Sequence, residues 1–434
     1  MSVNSQITCA SDFAGDNEPL SWNQINSWAT TYGDSFYVFK EATFRNNFTR
    51  LSSAFTTRWP DTRIAYSYKT NYMPAVCEIV SELGAYAEVV SEMEYDLAER
   101  LGVSGERIIY NGPYKSLNSL QKALYAGSIV NLDSMRDYEN VMTLASEAPG
   151  RRFSIGMRCN FALGDDCSSR FGFDSKGPEF QQVTAGIRSS RNVSLTGVHC
   201  HFPNRDLASF KTRALEMLDI VKRVFPSPPE FVNLGGGFFG GMPESMRDLY
   251  DREPPDFNQY AETICTVLNE FFVGFNTRPT LYIEPGTALV ADTMKFYVRV
   301  IDIKNIRGRV IATVAGSLFN ISPHSRVRHL PVRVIRNQDN GVAPVATKYD
   351  IAGYTCIEND YLTVGLSEPL KVGDFLEYGN VGSYSIVLKP PFILPNVPIL
   401  AISADSAEVS LVRHAESSTD LFASFPVTRR SYAH

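Results

Sequence analysis

Several side chains that could carry out chemistry stand at the ends of short apolar segments in this sequence. Lys69 follows the mostly apolar run "IAYSY", and Glu284 follows "LYI". His199 and His201 lie in "GVHCHF", and a run of glycines, residues 235–237, follows "FVNL". A lysine at the end of a buried strand costs free energy unless another group uses its charge. Lys69 is therefore a candidate nucleophile.

Together these residue types meet the needs of pyridoxal phosphate. A lysine amine can hold the aldehyde of the cofactor as a Schiff base and exchange it for a substrate amine. Glycine N–H groups before a helix can bind the phosphate, a carboxylate can keep the pyridine nitrogen protonated, and an imidazole can stack on the ring. Taken singly, each residue has a simpler explanation, such as a salt bridge, a structural histidine or a tight turn. The spacing of Gly235, Gly237 and Gly240 also fits GxGxxG, but it follows a late strand and lacks the early βαβ unit of a dinucleotide site.

The elements that must position these residues follow a βα rhythm over the first 285 residues. The eight strand candidates are residues 63–68, 85–90, 107–111, 128–133, 152–158, 195–202, 230–235 and 280–285. Helix-like segments such as "SFKTRALEMLDIVKRVF" separate them. We therefore predict an α/β fold with an N-terminal (β/α)8 TIM-like barrel over residues 41–285. Because chemistry in such a barrel lies where strands end, Ser91, Glu94 and Arg158 join the candidate residues.

The rest of the chain is rich in β-type segments and poor in long helices. We predict a β-domain, a sandwich or barrel, over residues 286–420, with residues 1–40 belonging to it. The run "SFYVFKE" is expected to pair with this domain, and residues 421–434 are expected to form a disordered tail.

Composition argues against several classes of function. A net charge of −6 with no basic block argues against nucleic acid or an anionic membrane as the main partner. The seven cysteines are scattered and form no CxxC pair, which predicts reduced thiols and no metal site. We see no signal peptide and no apolar window long enough to span a membrane, so we expect a cytoplasmic globular protein.

Seven segments, in order, resemble the motifs of the group IV pyridoxal-phosphate decarboxylases, the alanine-racemase-fold family of diaminopimelate, ornithine and arginine decarboxylases. They are "YSYKTN", "SRFGF", "GVHCHF", "NLGGGF", "IEPG", "CIEND" and "VGSYS". Each motif is weak to moderate alone, but their common order over nearly the whole chain is specific.

The resemblance implies a role for each matching residue. Lys69 would form the internal aldimine, His201 would stack on the pyridoxal ring, and Glu284 would pair with the pyridine nitrogen. The remaining residues of the implied cofactor site are Arg158, Gly235, Gly236, Gly237, Gly286 and Tyr384.

Three further residues would act on the substrate. Cys356 would protonate the carbanion, while Asp360 and Glu358 would lie near the substrate. In the family this segment comes from a partner subunit, so the resemblance implies a homodimer with shared active sites. Without its flanking residues, Cys356 would be interpreted as a buried, inert thiol.

Four departures from the family motifs bear on phosphate and substrate contacts. "HFPN" puts Asn204 where the family has a phosphate-binding serine, and "EPGT" puts Thr287 at an arginine position. "CIEND" displaces Glu358 by one position, and "GSLFNISPHS" replaces an Arg-Pro segment. We therefore expect a substrate other than diaminopimelate, either another diamino acid or a carboxylated pathway intermediate. Arg326 and Arg328 could replace the missing carboxylate contact, although we favour surface charges.

Three functions remain as alternatives at this point. The leading hypothesis is decarboxylation of an amino acid at its α-carbon. A racemase or epimerase would keep the lysine and retain the carboxylate, but the cysteine of "CIEND" favours decarboxylation. A catalytically silent relative that binds a partner protein is disfavoured by the intact Lys69, Glu284 and Cys356.

Overall fold

The structure, a computed structural model, describes residues 20–164, 169–321, 330–337, 348–406 and 408–426. The chain divides into two compact units. The barrel unit comprises Thr43–Gly241 and Arg252–Ala291, and the β unit comprises Met1–Ala42, Met242–Asp251 and Asp292–His434. Residues 242–251, which we had expected to belong to the barrel, therefore group with the β unit.

The strands of the described residues are short and numerous. In chain order they are β1 Ser35–Lys40, β2 Thr62–Ser67, β3 Tyr86–Val89, β4 Ile108–Tyr110, β5 Ile129–Leu132, β6 Phe153–Asn160, β7 Phe173–Asp174, β8 Val193–His199, β9 Phe231–Asn233, β10 Thr280–Ile283, β11 Met294–Ile306, β12 Arg309–Val314, β13 Val332–Ile335, β14 Tyr349–Ala352, β15 Tyr361–Leu366, β16 Phe375–Tyr378, β17 Ile399–Ile402 and β18 Val409–Arg413.

The α-helices of the described residues fall mainly between the barrel strands. They are α1 Trp22–Tyr32, α2 Glu41–Thr56, α3 Pro74–Glu82, α4 Glu92–Arg100, α5 Leu117–Tyr125, α6 Met135–Glu147, α7 Pro178–Ser189, α8 Leu207–Val224, α9 Glu244–Arg247, α10 Phe257–Phe271, α11 Thr287–Val290, α12 Leu318–Ile321, α13 Ser385–Leu388 and α14 Ser418–Phe422. Three 3₁₀ turns, Tyr68–Thr70, Gly105–Arg107 and Ala291–Thr293, complete the set.

Eight parallel strands form a closed barrel, which confirms the predicted fold class. Their order is β5-β4-β3-β2-β10-β9-β8-β6, and pairing of β5 with β6 closes the ring. The strands are rich in buried residues, because helices cover parallel strands from outside. All eight strands lie within a few residues of the predicted segments. Ala65, Ile109, Phe231 and Tyr282 form one buried cluster of this unit. Gly197 leaves the space for the Phe231 ring, because an added Cβ would lie 2.5 Å from it.

The β unit contains a mixed sheet, with the order β15-β14-β12-β11-β1-β17-β18 and with β16 paired to both β11 and β13. Strand β1 pairs antiparallel with β11 and parallel with β17, which is the pairing expected for "SFYVFKE". Phe36 and Val38 of β1 pack in a core with Tyr297, Phe375 and Leu400. Among the described residues, no helix combines the length and apolarity that a membrane crossing requires.

Candidate active site

Lys69 lies in the 3₁₀ turn Tyr68–Thr70, directly after β2. Its Nζ forms an ion pair with the carboxylate of Glu88 on β3 and donates to Ser67 Oγ at 3.3 Å. Ser67 Oγ donates to the same Glu88 oxygen at 2.5 Å. The side chain of Glu88 is 1% exposed, whereas that of Lys69 is 31% exposed. The amine is therefore reachable and stands beside a buried carboxylate that can accept its proton.

Glu284 follows β10, and its carboxylate is buried among hydrogen-bond donors. Oε1 accepts from Asn111 Nδ2 at 2.8 Å and Asn233 Nδ2 at 2.7 Å, and Oε2 lies 3.2 Å from His199 Nε2. Burial acts to raise the pKa of Glu284. The hydrogen bond and charge of His199, together with the Lys69 cation, outweigh burial and hold this pKa well below its usual value. Glu284 is thus a buried anion at the barrel interior.

A belt of polar side chains connects the lysine to this anion. Asn111 follows β4, and its Nδ2 donates to Glu88 Oε1 at 3.0 Å as well as to Glu284. Asn131 of β5 donates to Asn111 Oδ1 at 2.8 Å. The sequence analysis did not identify Glu88, Asn111 and Asn233 as candidate site residues. Each is a polar residue within or directly after a short, mostly apolar strand, and this pattern could have indicated them.

The two histidines have different partners. Strand β8 ends at His199, so His201 lies beyond the strand rather than on its face. His201 Nδ1 accepts the Gly236 N–H at 3.0 Å, which fixes the ring against the glycine run. Removal of the ring from water, followed by the repulsion of the Lys69 cation, lowers the pKa of His201 well below its usual value. His201 therefore presents a neutral imidazole.

Three glycines follow β9, and backbone contacts explain two of them. An added Cβ would lie 2.3 Å from Cys200 O at Gly235 and 2.2 Å from Glu284 O at Gly236, so close approach of backbones requires both. Gly235 N–H donates to Asn233 Oδ1 at 2.9 Å, and the Gly236 N–H is bound to His201. Gly237 has φ +103°, which favours glycine, and an added Cβ would lie 3.3 Å from Asn204 O, closer than an ordinary contact.

Arg158 is buried on β6, where Nη1 donates to Asp133 Oδ1 at 3.1 Å and Nη2 donates to His201 O at 3.3 Å. It thereby ties the main chain of His201 to the end of β5. Gly286, two residues after Glu284, packs against the 3₁₀ turn that carries Lys69, since an added Cβ would lie 2.1 Å from Thr70 Oγ1.

The β unit carries the other predicted residues. Cys356 and Glu358 are exposed in the connection between β14 and β15. Tyr384 precedes α13 with φ +62°. Asp360 is 3% exposed, and its carboxylate has protein donors within its own unit. These are Ser317 Oγ at 3.0 Å, Leu318 N at 2.7 Å, Thr355 N at 3.2 Å and Thr355 Oγ1 at 2.6 Å. The substrate roles of these residues stay predictions, and Arg326 and Arg328 lie outside the described residues.

The barrel residues fit pyridoxal phosphate. Lys69 is an amine with an adjacent proton acceptor, Glu284 is an anion suited to a pyridinium, and His201 is a neutral flat ring. No group of three potential metal-ligating side chains occurs among the residues that the structure describes.

Comparison with known proteins gives a consistent result. The family model described as "Pyridoxal-dependent decarboxylase, pyridoxal binding domain" matches residues 42–291. The diaminopimelate decarboxylase of Methanothermobacter thermautotrophicus is 26% identical over 411 residues, covering 91% of this chain and 92% of that protein. That of Bacillus subtilis is 28% identical over 377 residues, covering 82% and 83%. The solved structure of diaminopimelate decarboxylase from Methanocaldococcus jannaschii in complex with L-lysine is 23% identical to this chain. The two superpose with a TM-score of 0.82, covering 93% of this chain and 95% of that chain.

Proposed function

This chain belongs to the family of pyridoxal-dependent decarboxylases, and we propose that it removes the α-carboxylate of a diamino acid as CO2. Its cofactor is pyridoxal phosphate. The observation that carries the proposal is the arrangement of Lys69, Glu88, His201 and Glu284 around one end of the barrel. Pyridoxal phosphate supplies an aldehyde that bonds to an amine and a ring that accepts electrons.

Lys69 would hold the cofactor covalently through Nζ and release it to the substrate amine. An ammonium is not a nucleophile, so Nζ must first lose a proton. Glu88, which pairs with Nζ and is buried, is the base within reach. Ser67 holds the Glu88 oxygen in place through its hydroxyl.

Glu284 and His201 would act on the ring without moving. Because Glu284 remains ionised, it can keep a proton on the pyridine nitrogen, and this is the state in which the ring accepts electrons best. The neutral imidazole of His201, held by the Gly236 N–H and by the Arg158 contact to its carbonyl, would pack on the ring face.

Cys356 would protonate the α-carbon after CO2 has left, with its thiol as the proton donor. It is the cysteine described as exposed, whereas Cys77, Cys159, Cys200 and Cys265 are buried. We propose further that the protein is a homodimer in which Cys356 of one protomer serves the barrel of the other. Mixing two inactive variants, as described below, tests this assembly directly.

The substrate is proposed as a diamino acid because relatives along most of the chain are diaminopimelate decarboxylases. Diaminopimelate, which the departures from the family motifs argued against, therefore comes first in a substrate panel. Thr287 and Asn204, where the family motifs have arginine and serine, are the reason to include other L- and D-diamino acids.

The first experiment is the visible absorption spectrum of the purified protein with pyridoxal phosphate, combined with CO2 release from the panel. We expect a band that shifts with one diamino acid, CO2 evolution from the same compound, and loss of the band in Lys69→Ala. Lys211→Ala, which removes an exposed lysine, is the matched control and should keep the band. Change of stereochemistry without CO2 would indicate a racemase, and a protein that stays colourless with added cofactor would refute the proposal.

The second experiment mixes two inactive variants, Lys69→Ala and Cys356→Ala. If the active site is shared, a mixed dimer contains one site with both native residues, and activity returns on mixing. Activity that stays absent, while mixed dimers form, would contradict the shared site.

A further inference from the structure

Arg213, on helix α8, is fully buried in the barrel unit and holds the carbonyl groups of two loops. Nη1 donates to Gly236 O at 2.9 Å, and Nη2 donates to Phe202 O at 3.2 Å and to Asn204 O. One loop follows β9 and the other follows β8. Both therefore lie at the carboxyl-terminal end of the barrel, where the candidate active site lies.

Aromatic rings enclose the guanidinium. The Arg213 Cζ atom lies 4.1 Å from the centroid of the Phe210 ring and 5.7 Å from that of Phe202. Taking a guanidinium out of water costs several kcal/mol, and this cost is offset only by well-placed hydrogen bonds. Arg213 gains them from backbone carbonyls, so the position of its charge is coupled to the positions of both loops.

Gly237 lies where the two loops and the guanidinium meet. A Cβ placed on Gly237 would lie 3.3 Å from Asn204 O, 3.5 Å from Phe202 O and 3.8 Å from Arg213 Nη1. The N–H groups of Gly235 and Gly236 are already bound to Asn233 and His201. An anion at this loop would therefore rely on N–H groups from Gly237 onward, beside a buried positive charge.

We propose that Arg213 is the positioning residue for the phosphate group of pyridoxal phosphate. It holds the 202–204 and 235–237 loops together, and its buried charge attracts the phosphate dianion at the Gly237 end of the glycine run. This inference rests on the assignment of the cofactor and is independent of which amino acid is the substrate.

The test compares binding of pyridoxal phosphate and of pyridoxal, which lacks the phosphate, to the cofactor-free protein. Arg213→Met keeps much of the side-chain volume and removes the charge, while Arg213→Lys keeps the charge and loses the two-armed contact. In Arg213→Met we expect pyridoxal phosphate to bind roughly 10- to 100-fold more weakly, the range expected when a buried positive charge several Å from a dianion is removed, with little change for pyridoxal. Arg213→Lys should fall between Arg213→Met and wild type. Inorganic phosphate should compete with the cofactor in the wild type and much less in Arg213→Met.

Met217→Ala is the matched control, because Met217 is fully buried one turn further along the same helix. It should lower thermal stability and leave the ratio of the two affinities unchanged. An unchanged ratio in Arg213→Met, or an equal change in Met217→Ala, would overturn the proposal. If Arg213→Met does not fold, the same ratio measured in Arg213→Lys decides. If only the substrate assignment is wrong, the wild-type protein would still bind pyridoxal phosphate more tightly than pyridoxal but would release no CO2 from any diamino acid.

Discussion

Replacing Glu284 with glutamine tests the central electrostatic claim about this site. Glu284 accepts three hydrogen bonds, from Asn111, Asn233 and His199. The amide oxygen of glutamine can keep both asparagine contacts. Its Nε2 would then face His199 Nε2 in place of the carboxylate Oε2, so the contact to His199 is lost.

The expected loss is larger for catalysis than for folding. Each charge-assisted hydrogen bond contributes about 1.5–3 kcal/mol and a neutral one about 1 kcal/mol, while removal of a buried charge relieves desolvation. We therefore expect Glu284→Gln to lose about 1–3 kcal/mol of folding free energy. If Glu284 pairs with the pyridine nitrogen as proposed, loss of this anion should lower kcat by roughly 10²–10³, the size found for single preorganised electrostatic contacts.

The assay is single-turnover CO2 release at saturating cofactor, alongside cofactor affinity measured by visible absorbance. Asn233→Ala is the control, because it removes one donor to Glu284, together with the acceptor for the Gly235 N–H, and leaves the carboxylate in place. It should lower kcat by about tenfold or less, as expected for one hydrogen bond. If Glu284→Gln lowers cofactor affinity and kcat by the same factor, the carboxylate only binds the ring, and the assigned electronic role is refuted.

Three further changes test other parts of the structure. Burial raises the pKa of Glu94 to about 7. The folded chain therefore binds the proton of the Glu94 carboxyl more tightly than the unfolded chain does. The free energy of unfolding should fall by up to about 3 kcal/mol as the pH rises from 4.5 to 7. Glu94→Gln should remove that fall in thermal melts, and parallel pH curves for the two proteins would contradict the assignment. Asp360→Asn should lower the free energy of unfolding in urea by about 2–4 kcal/mol, because an asparagine amide cannot accept from all four groups that donate to the Asp360 carboxylate. A raised KM at unchanged stability would instead indicate that Asp360 binds the substrate. Gly236→Ala should abolish cofactor binding, since its Cβ would meet Glu284 O at 2.2 Å, whereas Gly150→Ala, in open space, should change nothing.

The barrel could be predicted from the sequence because each of its strands is covered on both faces. Strands such as β2 and β8 therefore appear as apolar runs, and the residues that follow them mark one end of the barrel. The same logic located Lys69 and Glu284, whose positions depend only on where a strand ends. The grouping of residues 242–251 with the β unit depends on contacts between segments that are distant in the chain, which no local pattern records.

The polar belt could not be predicted by reasoning about strand ends, because its meaning lies in contacts between distant strands. Asn111 and Glu284 are 173 residues apart, and Glu88 lies inside an apolar strand rather than at its end. Only the pairing of β2 with both β3 and β10, which are far apart in the chain, brings these three side chains to one place.

Asn111 explains why the site can keep two carboxylates close together in a buried interior. Asn131 donates to Asn111 Oδ1, which directs the Nδ2 of Asn111 toward Glu88 Oε1 and Glu284 Oε1. One neutral residue thus separates the two acids and donates a hydrogen bond to each. Glu88 then has Lys69 as its cation, while Glu284 has further donors in Asn233 and His199. The direction of a single amide therefore lets the two carboxylates lie close together, one paired with Lys69 and the other surrounded by hydrogen-bond donors. An aspartate at position 111 would reverse that arrangement by placing a third acid between them.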